Sequence, residues 1–327
     1  MYDPDSLIAL EERVRKALPR WALGPVSELK LINVSENATF LVTDGETGRE
    51  LVLRVHRPGY HTRQEIASEI SWIEALRADR VVDTPAPVAG VDGEVIQELP
   101  GGPARHAVAF ERVSGAEPAA TEELTPWFQE LGGVTARMHL HARIWRRPPG
   151  FARKVWNFST ALGPEPHWGP WRQGLGLEPA GTALLERAVA TIERRVARFG
   201  QSRERFGLVH ADLRLANLLV DGPRLNVIDF DDCGLSWFVY DFAAAITFIE
   251  HEPIVPALLE AWVSGYRQIT SLSAEDAAEI PVMVMLRRIL ILAWIASHAE
   301  TPTAQQMGVN YTVQTLGMAE TFLGRYA

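Results

Sequence analysis

The sequence predicts an α+β protein with a small β-rich N-terminal lobe and a larger, mainly helical C-terminal lobe. Between residues 27 and 113, apolar residues alternate in short runs, which is typical of strands. After residue 118 they recur every three or four residues in longer runs, which is typical of amphipathic helices. A linker is expected near residues 113–118, so the predicted domains are 1–113 and 114–327.

The first lobe is predicted to contain five strands and two helices. Turn residues such as Asp44-Gly45 and Thr47-Gly48 separate the strand-like runs. The expected elements are a helix at Asp5–Leu18, three strands between Ser27 and Val55, a helix at Gln64–Ala78, and strands at Val95–Leu99 and His106–Val113.

The second lobe is predicted to be built from long helices. Leu124–Ile144 and Ala183–Phe199 have the clearest helical spacing, and residues 146–180, rich in Pro, Gly and Trp, form an irregular insertion. Its tryptophans either anchor the insertion or line a pocket. The apolar run Pro281–Ser297 contains two arginines and is shorter than a membrane span of ~20 residues, so a buried helix is expected. At least one of these arginines, Arg287 or Arg288, is expected to pair with an acid, in a position that could lie near the substrate.

Composition excludes several classes of protein. The 327 residues are 47% hydrophobic and 22% charged, which is typical of a soluble globular protein. A net charge of −9 does not support a basic nucleic-acid surface. The N-terminus does not resemble a signal peptide, and the single cysteine, Cys233, cannot form an internal disulfide. We therefore expect a cytoplasmic protein without membrane or nucleic-acid partners. Its oligomeric state stays open.

Residues 208–232 are the segment that points to a reaction. Asn217 follows Asp212 by five residues, and Asp229 follows Asn217 by twelve, at the end of an apolar run. The runs Leu208-Val209 and Leu218–Val220 are expected to form one rigid strand pair around the loop. A lone aspartate in a loop is usually a turn residue. The joint spacing instead favours a general base at Asp212 and two oxygen ligands for Mg²⁺, the equipment of phosphoryl transfer.

This segment resembles the catalytic core of the aminoglycoside phosphotransferase/choline kinase-like family, which has the protein kinase-like bilobal fold. The family pattern H-G-D-x-x-x-x-N, followed by I-D-F, is similar to His210-Ala211-Asp212…Asn217 and Ile228-Asp229-Phe230. The resemblance implies that Asp212 is the catalytic base and that Asn217 and Asp229 hold the metal. It also implies an N-terminal nucleotide-binding lobe and a C-terminal catalytic and substrate-binding lobe.

Other residues near the motif have secondary roles. By the same resemblance, Asp241 braces the catalytic loop from the following helix, and His210 packs the loop. Ala211 replaces the usual glycine and is expected to keep the backbone if its φ is negative. Asp231 and Asp232 either assist a metal or form a solvated turn.

The nucleotide contacts implied by the resemblance lie in the first lobe. Arg54 stands where the family usually has lysine, and Glu69, on the inward stripe of the Gln64–Ala78 helix, is its expected partner; surface positions for both are the alternative. Ser35 and Asn37, in the loop Val34–Phe40, are expected phosphate donors or turn residues. The carbonyl of Glu111 and the amide of Val113 are expected to contact adenine.

The predicted function is transfer of the γ-phosphoryl group of ATP, with Mg²⁺, to a hydroxyl of a small metabolite. An amino alcohol, an amino sugar or a homoserine-like amino acid fits the acidic balance of the chain. Two alternatives stay open: a protein Ser/Thr kinase, and a nucleotide-binding pseudokinase module suggested by Arg54.

Overall fold

The computed structural model describes residues 4–35, 37–119 and 123–327. The chain divides into two compact units. One comprises Met1–Ser114 and Arg147–Ala152, and the other comprises Gly115–Arg146 and Arg153–Ala327.

The first unit is built on an antiparallel sheet with strand order β1-β2-β3-β6-β4, in which β5 also pairs with β6. The alternation that predicted strands is visible in β2, where every second side chain is buried. Helix α1 closes one side of this core with Leu10 and Val14. The elements are α1 (Pro4–Ala17), β1 (Glu28–Val34), β2 (Ala38–Thr43), β3 (Glu50–Val55), α2 (Arg63–Ala78), β4 (Pro87–Val88), β5 (Ile96–Glu98) and β6 (His106–Glu111).

The second unit is mainly helical and contains two short two-stranded sheets, β7 with β10 and β8 with β9. Its most apolar helix, α8, packs against α5, α6 and α9. The elements are α3 (Thr125–Ile144), α4 (Phe158–Ala161), α5 (Pro179–Phe199), β7 (Phe206–Val209), β8 (Leu218–Asp221), β9 (Arg224–Val227), β10 (Gly234–Trp237), α6 (Tyr240–Ala245), α7 (Val255–Ile269), α8 (Ala274–Ser297) and α9 (Pro302–Tyr326).

Helix α8 is the buried helix that the sequence predicted. Among the described residues it is the one helix whose length and apolar composition would suit a membrane span, but 78% of its most apolar window is buried inside the fold. Both of its arginines, Arg287 and Arg288, are buried as well. The helix therefore forms the core of the second unit.

Helices α3 and α7 cross closely because glycines lie at the crossing. A Cβ atom on Gly265 would overlap the carbonyl oxygen of Gln129, and one on Gly132 would overlap that of Trp262. The close approach brings His139 of α3 within hydrogen-bond distance of Tyr266 of α7. His139 also contacts Asp241, the residue expected to brace the catalytic loop.

One prediction about local structure was wrong. The runs Leu208-Val209 and Leu218–Val220 do not pair with each other, because β7 pairs with β10 and β8 pairs with β9. The loop between them therefore joins two separate two-stranded sheets. The tryptophans of the irregular insertion are mostly buried, including Trp156, Trp168 and Trp171. That burial favours the anchoring role over a pocket lining.

Candidate active site

The loop after β7 brings Asp212 and Asn217 together. The Asn217 side chain donates from Nδ2 to the Asp212 carbonyl oxygen at 2.8 Å and to Asp212 Oδ2 at 2.7 Å. A short 3₁₀ turn at Leu215–Asn217 makes this possible, because it folds the chain back within five residues. The five-residue separation of Asp212 and Asn217 in the sequence is therefore the separation at which this turn brings the two side chains together.

Two arginines flank the Asp212 carboxylate. Arg287 Nη2 lies 2.7 Å from Oδ1, and Arg214 Nε lies 3.3 Å from Oδ2. Burial by itself raises the pKa of Asp212, but the positive charges of Arg214 and Arg287 outweigh it, so the pKa lies below its ordinary value. Asp212 is therefore an ionised carboxylate at neutral pH, as a hydroxyl-activating base must be.

His210 connects the loop to the strand that ends at Asp229. Its Nδ1 accepts from the Asp212 amide at 3.2 Å, and its Nε2 lies 3.1 Å from the Ile228 carbonyl oxygen. These two contacts require a neutral ring protonated on Nε2. The Ile228 amide also donates to the Asn217 carbonyl at 3.0 Å. His210 therefore has the packing role that was expected. Asp229 directly follows Ile228, whose carbonyl and amide make these hydrogen bonds.

Asp241 braces the loop from the start of α6, as expected. Its carboxylate accepts from the amides of His210 at 3.2 Å and Ala211 at 2.7 Å, and it lies 2.9 Å from His139 Nε2. Burial lowers the pKa of His139, and the hydrogen bond and charge of Asp241 offset this only in part. His139 is therefore a neutral donor to Asp241.

The backbone at Ala211 differs from the expectation. Its φ is +66°, in the left-handed region, where the family's glycine has no steric penalty and an alanine has one of about 1–2 kcal/mol. The condition of a negative φ is not met. Asp241 on the amide and Arg287 on the carbonyl, at 2.8 Å, hold the residue in this conformation.

Asp229 and Asn217 have the oxygens that a divalent cation needs. Because Nδ2 of Asn217 donates to Asp212, its Oδ1 is the atom available for a cation. Asp229 adopts φ +60° and ψ +70°, a strained conformation for a residue other than glycine and typical of functional sites. No cluster of three His, Cys, Asp or Glu side chains forms a protein-only metal site in the described part of the chain. Mg²⁺ commonly uses one or two protein ligands together with substrate phosphates, so this donor set fits it.

In the first unit, Arg54 and Glu69 form a buried pair. Nη2 of Arg54 lies 2.6 and 2.7 Å from the two oxygens of Glu69. The surface alternatives for these residues are wrong. The pair depends on α2, whose first turn is fixed by a capping box between Thr62 and Glu65.

The other expected nucleotide contacts occupy turns and strand ends of the first unit. Ser35 and Asn37 lie in the β1–β2 turn, where the Ser35 amide donates to the Asn37 carbonyl and Asn37 Oδ1 accepts from the Arg57 amide at 3.2 Å. Glu36 of this loop lies outside the described residues. Glu111 ends β6 and donates its amide to Ala86, and Val113 follows it. Their contacts with nucleotide stay predictions.

Both arginines of α8 pair with acids, whereas at least one such pair was expected from the sequence. Arg287 pairs with Asp212, and Arg288 pairs with Glu250 at 2.6 Å. The signal was a pair of cations within an apolar helix. Nothing in the sequence tells which of the two reaches the catalytic loop.

Comparison with known proteins places this geometry in a family. The model of the phosphotransferase enzyme family matches residues 28–278, about three quarters of the chain. The chain belongs to the phosphotransferase enzyme family. The match covers every candidate site residue described above except Arg287, which follows it in α8.

This phosphotransferase is similar along almost its whole length to a solved aminopropanol kinase. That microcompartment-associated enzyme is 42% identical, with a TM-score of 0.89, and the match covers 96% of this chain and 98% of the other. Amicoumacin kinase hAmiN, solved with AMP-PNP, Ca²⁺ and Ami, is 22% identical with a TM-score of 0.77, covering 95% and 96%. A homoserine kinase of Mesorhizobium japonicum is 29% identical over 76% of this chain and 73% of its own.

These findings confirm the predicted family, the kinase-like α+β fold and the class of enzyme. The protein is a phosphotransferase acting on a small-molecule hydroxyl group. ATP as the phosphoryl donor follows from the family.

Proposed function

We propose that this phosphotransferase moves the γ-phosphoryl group of ATP, with Mg²⁺, to the hydroxyl of a small amino alcohol. The observation that carries the proposal is the 42% identity to an aminopropanol kinase over nearly the full length of both chains. The homoserine kinases are less similar to this chain, at 29% identity or less, so homoserine is a weaker candidate for the acceptor than an aminopropanol.

We assign the chemical step to Asp212. The acceptor hydroxyl gives its proton to the Asp212 carboxylate while its oxygen forms a bond to the γ-phosphorus. The bond from that phosphorus to the bridging oxygen breaks, and ADP leaves with the electron pair. The lowered pKa of Asp212 keeps its carboxylate in the ionised form that can accept a proton, and Asn217 fixes its orientation through Oδ2.

The remaining residues bind the nucleotide and the metal in this proposal. Asn217 and Asp229 would hold Mg²⁺, which neutralises charge that develops on the phosphate oxygens. Arg54, oriented by Glu69, binds phosphate. Ser35 and Asn37 donate to phosphate, and the backbone of Glu111 and Val113 contacts adenine.

A panel of acceptors tests the proposal. ADP release and the phosphorylated product would be measured with the aminopropanol isomers, ethanolamine, choline, homoserine and a protein substrate. We expect the largest kcat/KM for an aminopropanol. A kcat/KM for homoserine that is tenfold larger than that for any amino alcohol, or turnover with the protein substrate alone, would contradict an amino alcohol as the acceptor.

Two variants connect the activity to the site. Asp212→Asn should lower kcat about 1,000-fold, within the range for loss of a general base, while ATP binding is retained. Asp221→Asn, at an exposed turn between β8 and β9, is the matched control and should keep wild-type kcat. Retained activity in Asp212→Asn would remove Asp212 as the base.

A further inference from the structure

Arg287 connects helix α8 to the catalytic loop. Its buried guanidinium donates from Nε to Thr247 Oγ1 at 2.8 Å and from Nη1 to Tyr240 Oη at 3.0 Å. The same Nη1 donates to the Ala211 carbonyl at 2.8 Å, and Nη2 donates to Asp212 Oδ1 at 2.7 Å. Four acceptors therefore fix the position of the guanidinium, and two of them belong to the loop.

The two oxygens of Asp212 are used unequally. Oδ2 accepts from Asn217 Nδ2 at 2.7 Å and from Arg214 Nε at 3.3 Å. Oδ1 accepts from Arg287 alone among the described residues. Since a carboxylate oxygen has two lone-pair positions, Oδ1 keeps one of them for an incoming hydroxyl.

We propose that Arg287 is a positioning residue that aims Oδ1 of Asp212 at the acceptor hydroxyl, making Oδ1 the atom that takes the proton. This inference rests on the proposed function. Arg287 acts through Asp212, because four of its five N–H donors are committed to protein acceptors and one of these is the Asp212 carboxylate.

Only an arginine has the geometry for this role. Its planar fork reaches the Ala211 carbonyl and the Asp212 carboxylate at the same time, so the backbone and the side chain of the base are fixed together. A lysine would keep the charge but offer a single nitrogen. It can satisfy one of these acceptors well, so either the Ala211 carbonyl or Oδ1 of Asp212 loses its fixed donor, and the carboxylate is held through Oδ2 alone.

The neighbouring arginine is a matched control. Arg288 is equally buried and also pairs with an acid, Glu250, but its other partners are Thr315, the Tyr311 carbonyl and Gln314. None of these belongs to the catalytic loop. Substituting Arg288 thus disturbs the same helix to a similar degree without touching Asp212.

The experiment compares Arg287→Lys with Arg288→Lys in the full-length protein. Misplacing a catalytic group by about 1 Å can cost ~100-fold, so we expect a loss of about 100-fold in kcat for Arg287→Lys, with the KM for ATP changed less than threefold. Arg288→Lys should keep kcat within twofold once corrected for folded protein. Thr247→Val, which removes one anchor of the guanidinium and keeps its charge, should lower kcat by a smaller factor.

Hydrogen–deuterium exchange gives a readout that needs no acceptor. Amides of residues 208–217 should exchange faster in Arg287→Lys than in wild type, and not in Arg288→Lys. If wild type is active but Arg287→Lys keeps its kcat, or exchange in the loop is unchanged, the inference is overturned. If wild type phosphorylates no amino alcohol while exchange responds as expected, the proposed function fails and the positioning contact stands.

Discussion

The two units each contain an arginine–carboxylate pair, and the pairs are built in opposite senses. In Arg54–Glu69 the acid is fully buried and the arginine side chain retains 6% exposure. In Arg287–Asp212 the arginine is the more buried partner, at 4%, and the carboxylate retains 16%. A third pair, Arg288–Glu250, is almost fully buried on both sides.

We propose that the less buried member is the reactive partner in each of the first two pairs. Burying two charges is costly, so a pair gains little net stability over apolar residues of the same size. In a pair with one less buried member, the buried charge fixes the orientation of the other. We propose that Glu69 orients Arg54 and that Arg287 orients Asp212 in this way. The fully buried pair of Arg288 and Glu250 is structural.

Among the tests of this comparison, the largest effect is expected from removing Arg54, the less buried member of its pair. Arg54→Met should lower kcat/KM for ATP about 100- to 1,000-fold, the usual consequence of losing a group that stabilises transition-state charge. It should also destabilise the fold by about 3 kcal/mol, because Glu69 is left buried and unpaired. Steady-state kinetics and urea unfolding measure the two effects.

A double variant separates these effects. Arg54→Met combined with Glu69→Leu replaces the pair by apolar residues, so stability should return towards wild type while activity should not. Arg63→Met removes an exposed pair with Glu94 and should change neither quantity appreciably. Recovery of activity in the double variant would contradict a phosphate-binding role for Arg54.

What the sequence could predict follows from how local each feature is. Asp212, Asn217 and Asp229 lie within eighteen residues, and the turns between them are encoded in the same segment. The alternation in β2 and the helical stripe of α2 likewise reflect a single element and its buried face. The partnership of Arg54 with Glu69 came from the family resemblance and the cost of burying a lone charge.

Features that depend on distant segments were not predictable in this way. Arg287 is 75 residues from Asp212, and its neighbour Arg288 has the same residue type in the same apolar helix. The pairing of β7 with β10 rather than with β8 also depends on chain that follows the motif. Even the sign of φ at Ala211 depends on two side chains from elsewhere, Asp241 and Arg287.

A smaller effect concerns the support behind Asp212. His139 is neutral and buried against Asp241, and burial holds its pKa below the value of 6.5 expected in the unfolded chain. Below pH 6.5 the unfolded state therefore binds a proton that the folded state resists, and stability falls as the pH decreases. The slope for one proton is at most about 1.4 kcal/mol per pH unit.

Urea unfolding between pH 8 and 5.5 checks this dependence. His139→Gln should lose stability less steeply than wild type as the pH falls, although it is less stable at pH 8. His251→Gln, which alters a partly exposed histidine, should run parallel to wild type. Parallel curves for all three proteins would show that His139 does not contribute to the pH dependence of stability.

The smallest effect is expected at Ala211, whose carbonyl accepts from the Arg287 guanidinium and whose amide donates to the Asp241 carboxylate. Ala211→Gly removes a left-handed strain of about 1–2 kcal/mol from the folded state. Glycine also increases the entropy of the unfolded chain, which lowers stability by about 0.5–1 kcal/mol. The free energy of unfolding should therefore rise by about 0.5 kcal/mol. Ala216→Gly, at a position without positive φ, should instead lose about 0.5–1 kcal/mol. Both bonds to residue 211 are made to backbone atoms, so glycine keeps them and kcat should stay within twofold. A kcat loss beyond that, measured alongside unfolding, would mean that the alanine methyl group itself helps to position Asp212.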